Sequence, residues 1–316
     1  MKRIGILAAV LALVAYSAGA FGWRGAMAAV DDAAMAVRYA APLPAPEGPL
    51  AVYHIGHSLV NRDMPAMLAQ LAGPGHRYES QLGWGTTLKA HWTGKGIDGF
   101  EAENDHPRFR PAHEAVHSGD YDAIVLTEMV EIRDALRHFD SPRHLALWAN
   151  EVRTTRPEAR IYLYETWHRL DDPEGWLERL DADLPRYWEA GILRPALARL
   201  PADARIHLIP AGQALAAFVR AVEARGGVGS VRDRRDLFAV TPEGKVDDIH
   251  LGDQGNYLVA LVHYAVLYQK SPVGLRHDLL LHDGTPARAP APETALLMQQ
   301  IAWEIARSTP LTGVVR

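Results

Sequence analysis

Beyond residue 50, short and mostly apolar runs alternate with stretches whose apolar residues recur every three to four positions. The runs Ala51–Ile55, Arg77–Leu82, Ala123–Thr127, Arg160–Thr166 and Ile206–Pro210 read as strands. Helical periodicity marks Met64–Leu71, Arg143–Thr154, Trp176–Leu200, Ala214–Ala224 and Tyr257–Gln269. Apolar strands alternating with helices predict a parallel sheet covered on both faces. The expectation is one α/β domain of three layers, α/β/α, around an open doubly wound sheet, with no internal repeat. Ligands in such sheets bind beyond the carboxyl ends of the strands, so the residues that follow each run are where chemistry is sought.

The first 50 residues break this pattern. Lys2 and Arg3 precede an uncharged stretch, Ile4–Trp23, and two small-x-small sites follow at Ala18-Gly19-Ala20 and Ala26-Met27-Ala28. Residues 1–28 therefore read as an export signal, whose cleavage leaves a periplasmic or secreted protein. An uncleaved N-terminal membrane anchor is the alternative, because a stretch of that length also suffices to span a bilayer. Residues 29–49 are rich in Ala and Pro and read as a spacer, with the folded domain at 50–316. Composition adds little beyond exclusions. The chain has 48% hydrophobic residues, as a globular protein does, and its net charge of -5 lacks the basic footprint of nucleic-acid binding. It has no cysteine, so disulfides, thiolate metal sites, cysteine nucleophiles and lipoprotein anchors are excluded.

Two segments carry candidate chemistry. After the first strand stands Gly56-His57-Ser58-Leu59, with a helix expected near Pro65 and Asp63 as its cap. Ser58 thus lies in a strand-to-helix turn, open to a substrate but equally readable as an ordinary loop serine. Near the C-terminus stands Asp247-Asp248-Ile249-His250, followed by Asp253, a candidate cap, and an apolar helix. An Asp three residues before a His, on a tight turn, brings its carboxylate to Nδ1–H and frees Nε2 to take a serine proton. Asp248 is the other candidate for that acid.

Together these segments resemble the SGNH, or GDSL-like, hydrolase superfamily: Gly-x-Ser-Leu after the first strand and Asp-x-x-His before the last large helix, in the order Ser, Asp, His. The resemblance covers residues 50–269 and implies a flavodoxin-like fold and a triad of Ser58, Asp247 and His250. It also implies an oxyanion hole built from the Ser58 N–H, a glycine N–H and a third donor. Gly85, in Gly83-Trp84-Gly85-Thr86-Thr87, is the expected glycine, with Gly83 as alternative. The family's asparagine block fails here, since Thr127-Glu128 follows the third strand. An ionised Glu128 cannot donate, which leaves Thr127 as the candidate third donor.

No metal or organic cofactor is implied. His113 and His117 have helical i, i+4 spacing, but no third ligand stands near them in sequence. Trp84, His91 and Trp92 are the candidate substrate contacts, and Trp167-His168 also falls near a strand end. Aromatic faces there suit sugar rings. The expected activity is hydrolysis of an ester, a small molecule or an O-acylated glycan, outside the cytoplasm. The rivals are an O-acyltransferase acting on an exopolysaccharide and a non-catalytic glycan-binding protein.

Overall fold

The computed structural model describes residues 28–315. Five parallel strands form one sheet: β1 (Ala51–Ile55), β2 (Arg77–Gln81), β3 (Ala123–Leu126), β4 (Arg160–Glu165) and β5 (His207–Pro210), in the order β2-β1-β3-β4-β5. All five expected strands form. This is the flavodoxin-like, three-layer α/β/α architecture, and its strand order reverses direction between β1 and β3. Ile55 stands opposite both Gln81 and Leu126, so three strands end level at that switch point.

Successive side chains leave opposite faces of the sheet. Val52 and Val125 enter one core, under the helices Asp63–Ala72, Ala211–Ala224, Asp253–Tyr268 and Pro292–Ser308. Tyr53, Ile55, Ile124 and Leu126 enter the other, under Ala112–Ser118, Ile132–His138 and Ser141–Thr155. The Asp253–Tyr268 helix is buried from Gln254 to Tyr268, because sheet and flanking helices cover all its sides. Burial of this kind, about 25 cal/mol per Å² of apolar surface, drives the fold.

Three local expectations change. The Trp176–Leu200 stretch is an α-helix only over Trp176–Asp183 and Arg194–Leu197, with π-helical turns over Leu184–Leu193 between them. Pro185 has no N–H for Asp181, and the wider turns begin beside it. The helix Asp63–Ala72 is capped not by Asp63 but by Asn61, whose Oδ1 accepts the N–H groups of Asp63 and Met64 at 2.7 and 2.9 Å. At the helix Asp253–Tyr268 the cap position is Gly252, and Asp253 is already helical.

The region read as a spacer, residues 29–49, is instead docked on the domain. Asp31 caps a helix, Asp32–Arg38, by accepting the Ala34 N–H at 2.8 Å. Val30 and Met35 are buried in the second core, and Tyr39 donates to the Ile206 carbonyl at 2.6 Å. These apolar anchors, too few to show a period, hold the segment down. The export signal or anchor read at residues 1–28 lies, but for its last residue, outside the described residues. No described helix is long and apolar enough to cross a membrane.

Candidate active site

β1 ends at Ile55, and the chain turns through Gly56, His57 and Ser58 toward the helix Asp63–Ala72. Gly56 is required here by close approach: a Cβ at this position would lie 2.6 Å from the Thr127 methyl and 2.8 Å from Val60. The turn closes with the Val60 N–H donating to the His57 carbonyl at 2.8 Å. Ser58 stands partly exposed at its crest.

The second half of the site comes from a small hairpin beside the main sheet, β6 (Phe238–Val240) against β7 (Val246–Leu251). Its Asp247-to-His250 segment, expected as a plain tight turn, is a strand in which Asp247 still folds back on itself. Asp247 Oδ1 accepts the N–H groups of Ile249 and His250, both at 2.8 Å. Its Oδ2 faces His250 Nδ1 at 3.0 Å, and His250 Nε2 faces Ser58 Oγ at 3.0 Å. Partial burial works to raise the Asp247 carboxyl, but the hydrogen bonds from His250 and Ile249 outweigh it and hold the group below the usual carboxylate range. Asp247 therefore stays ionised, acceptor-only, and fixes the tautomer with Nε2 unprotonated toward the serine. Asp248 points elsewhere, into an ion pair with Arg169.

Residues at the end of β4 hold this hairpin. Trp167, buried, donates its indole N–H to the Ile249 carbonyl at 2.7 Å, and the Leu170 N–H donates to Asp248 at 2.7 Å. Trp176 in turn donates to the His168 carbonyl at 3.0 Å. Beneath lies buried Arg179, bonded to Asp183 and Asp172, each at 2.7 Å. The Trp167-His168 pair is thus internal support, not a sugar platform.

The oxyanion candidates divide. The N–H groups of Ser58 and Gly85 have no partner among the described residues. Gly85 is exposed, with a left-handed φ of 54° that suits glycine. Gly83 is buried, and a Cβ there would meet the Thr86 hydroxyl at 2.2 Å. Thr127 is not brought to the expected role. It is fully buried and its hydroxyl donates to the Tyr164 carbonyl at 2.7 Å, which commits its only proton away from Ser58. Glu128 is buried too. Its Oε1 accepts the N–H groups of Met129 and Leu88 at 2.9 and 3.3 Å, and burial pushes its carboxyl up to about 7.

Of the expected substrate contacts, Trp84 is the most exposed, at 57%, beside Gly85, with its indole N–H on Glu103 at 2.8 Å. His91 is buried and both ring nitrogens are engaged, Nε2 with the Gly56 carbonyl at 2.7 Å and Nδ1 with Gln81 at 2.9 Å. Trp92 packs edge-on against Trp148 in the second core, with ring centroids 5.0 Å apart. His91 cannot meet a substrate, while Trp92 is half-buried with one edge committed to Trp148. His113 and His117 both face Glu151 at 2.9 Å, but no described group of three such residues is arranged to hold a metal ion.

No protein-family model matches the chain, and no curated protein does. Its fold is shared with a solved DUF4886 family protein from Bacteroides uniformis, at 15% identity over 84% of this chain and 99% of that one, with a TM-score of 0.51. Looser likenesses are to a GDSL-like lipase of Parabacteroides merdae (13% identity, 67% and 93% covered, TM-score 0.39) and a carbohydrate esterase family 2 enzyme of Corynascus thermopiles (12%, 71% and 67%, TM-score 0.34). The first of these likenesses bears on fold alone, and the other two carry nothing further.

Proposed function

We propose that the protein is a serine ester hydrolase that removes O-acyl groups from a carbohydrate outside the cytoplasm. The observation that carries this reading is the line from Ser58 Oγ through His250 to Asp247, each step 3.0 Å, at the switch point of the sheet. Ser58 Oγ attacks the ester carbonyl and its proton passes to His250 Nε2, while ionised Asp247 stabilises the imidazolium. The N–H groups of Ser58 and Gly85 receive the oxyanion. Collapse of the adduct breaks the acyl C–O bond, and His250 returns the proton to the departing alcohol. Water then attacks the acyl-enzyme with His250 as base, releasing the acid and restoring Ser58. The imidazole contributes roughly 10²–10⁴ to such a step.

The flat indole face of exposed Trp84 beside Gly85 supports a sugar ring in the alcohol part. The basic and apolar N-terminus supports export. A transferase would use the same three residues with a sugar hydroxyl in place of water. The His250 side chain is 45% exposed, which leaves the base open to water and favours hydrolysis. The test is acetate release from p-nitrophenyl acetate and from an acetylated oligosaccharide. Release from both, abolished in Ser58→Ala, with Trp84→Ala raising KM for the oligosaccharide alone, is the expected result. Release from neither overturns the reading, and acetyl transfer to an added sugar in preference to water replaces it with the transferase.

A further inference from the structure

Two buried histidines flank Ser58 without belonging to its proton path. His91 Nε2 lies 2.7 Å from the Gly56 carbonyl, and its Nδ1 lies 2.9 Å from the Gln81 side-chain nitrogen. The Gln81 amide has a fixed sense, because its Oε1 accepts the Ala112 N–H at 2.9 Å. Its nitrogen must therefore donate, which makes Nδ1 of His91 the acceptor and puts the ring's only proton on Nε2. His57 follows the same logic. Its Nε2 is 2.8 Å from the Glu128 carbonyl, which can only accept, and its Nδ1 receives the Leu59 N–H at 3.3 Å.

Both rings are fully enclosed, and an added proton on either would set N–H against N–H. The two arms also share an anchor. Glu128 offers its carbonyl to His57, while its carboxyl takes the Leu88 N–H at the start of the helix that carries His91. One arm holds Gly56, and the other ties His57 and Leu59 to β3; Ser58 lies between them.

We propose that His57 and His91 form a neutral two-histidine clamp, each as its Nε2–H tautomer, that positions the Ser58 hydroxyl and N–H for attack. They are positioning residues, and that part of the proposal rests on the hydrolase reading above. A turn that carries both nucleophile and oxyanion donor tolerates little drift, since a misplacement of about 1 Å costs on the order of 100-fold in rate.

The test uses the full chain. In wild type, ¹⁵N imidazole spectra at pH 7 should show both histidines neutral and protonated at Nε2. Charged rings, or Nδ1–H tautomers, overturn the clamp whether or not the protein proves to be a hydrolase. A wild type that shows the tautomers but hydrolyses no ester separates failure of the hydrolase reading from failure of the clamp. In an active protein, His91→Phe should lower kcat on p-nitrophenyl acetate about 100-fold, with KM within about threefold. His91→Gln, which keeps a donor near the Nε2 position, should recover at least about tenfold of that loss. A folded His91→Phe at wild-type kcat, or a folded His91→Gln as impaired as His91→Phe, contradicts positioning. Should His91→Phe not fold, His91→Gln alone decides: kcat within about tenfold of wild type supports the clamp, and a greater loss overturns it.

Discussion

The indole N–H of Trp167 donates to the carbonyl of Ile249 at 2.7 Å, one residue before His250. The end of β4 thereby holds the hairpin that carries the base, while β1 carries the nucleophile. Trp167→Phe keeps most of the ring and removes the donor, leaving the Ile249 carbonyl without its bond. An unmade buried hydrogen bond costs about 1–3 kcal/mol. Part of that should appear at the site: kcat/KM on p-nitrophenyl acetate should fall about tenfold, with a modest loss in Tm. An unchanged kcat/KM in a folded variant would show that the hairpin holds its place without this bond.

Asp247 and Asp248 are adjacent, yet only Asp247 meets His250, while Asp248 pairs with Arg169. Asp247→Asn should cost roughly 10⁴ in kcat, through the wrong imidazole tautomer. Asp248→Asn loses an exposed ion pair, worth about 0–1 kcal/mol, and should stay within about tenfold of wild type. The two variants, assayed side by side, assign the orienting acid. Equal losses would contradict the assignment to Asp247.

Gly56 admits no side chain, because the Thr127 methyl occupies the space of its Cβ at 2.6 Å. Gly56→Ala should therefore destabilise by about 1–3 kcal/mol, the usual cost of overpacking. Because the strain falls two residues before Ser58, kcat should drop along with Tm. Denaturant unfolding paired with steady-state kinetics checks both, and a variant of wild-type stability would contradict the close packing.

His57, His91, His207 and His263 are buried and His76 is half-buried, and desolvation lowers each to about 4. Between pH 6.5 and about 4 the unfolded chain binds these protons and the folded one does not, so stability falls as pH falls through that window. Buried Glu128 and Glu165, raised to about 7 and about 8, act in the opposite sense, losing stability as pH rises from about 4.5 toward 8. Histidines outnumber the two glutamates, so the expected profile of stability has its maximum near neutrality and a steep fall toward pH 5. Each uncompensated histidine contributes about 1.4 kcal/mol per pH unit. Chemical denaturation across pH 5–8 measures it, and a flat profile below pH 6.5 would contradict neutral buried rings.

The sheet was legible because β1, β3 and β5 are buried on both faces and read as mostly apolar runs, interrupted only by His54 in β1 and led by His207 in β5. Ser58, Asp247 and His250 were legible because each sits in a short motif at an element junction, although 192 residues separate the base from the nucleophile. What sequence could not reveal depends on distant neighbours. His91 resembles any strand-end aromatic until the Gly56 carbonyl, 35 residues away, accepts its Nε2–H. Thr127 looks like a free donor until Tyr164 on β4 supplies an acceptor. The Asp32–Arg38 helix was hidden by its Ala-rich composition, since a seven-residue helix held by Met35 offers no period to detect. His57 and Glu128 share the same signal, a polar residue two positions after a buried strand, which marks a position without revealing its partner.

The central claim is that Ser58 is an activated nucleophile, and the most direct measurement is reaction of the purified protein with a fluorophosphonate, followed by intact mass and peptide mapping. A single adduct on Ser58 is the predicted result. It should be absent in Ser58→Ala and formed at least about 100-fold more slowly in His250→Ala. A folded wild type that forms no adduct, or carries it on another residue, would contradict the account.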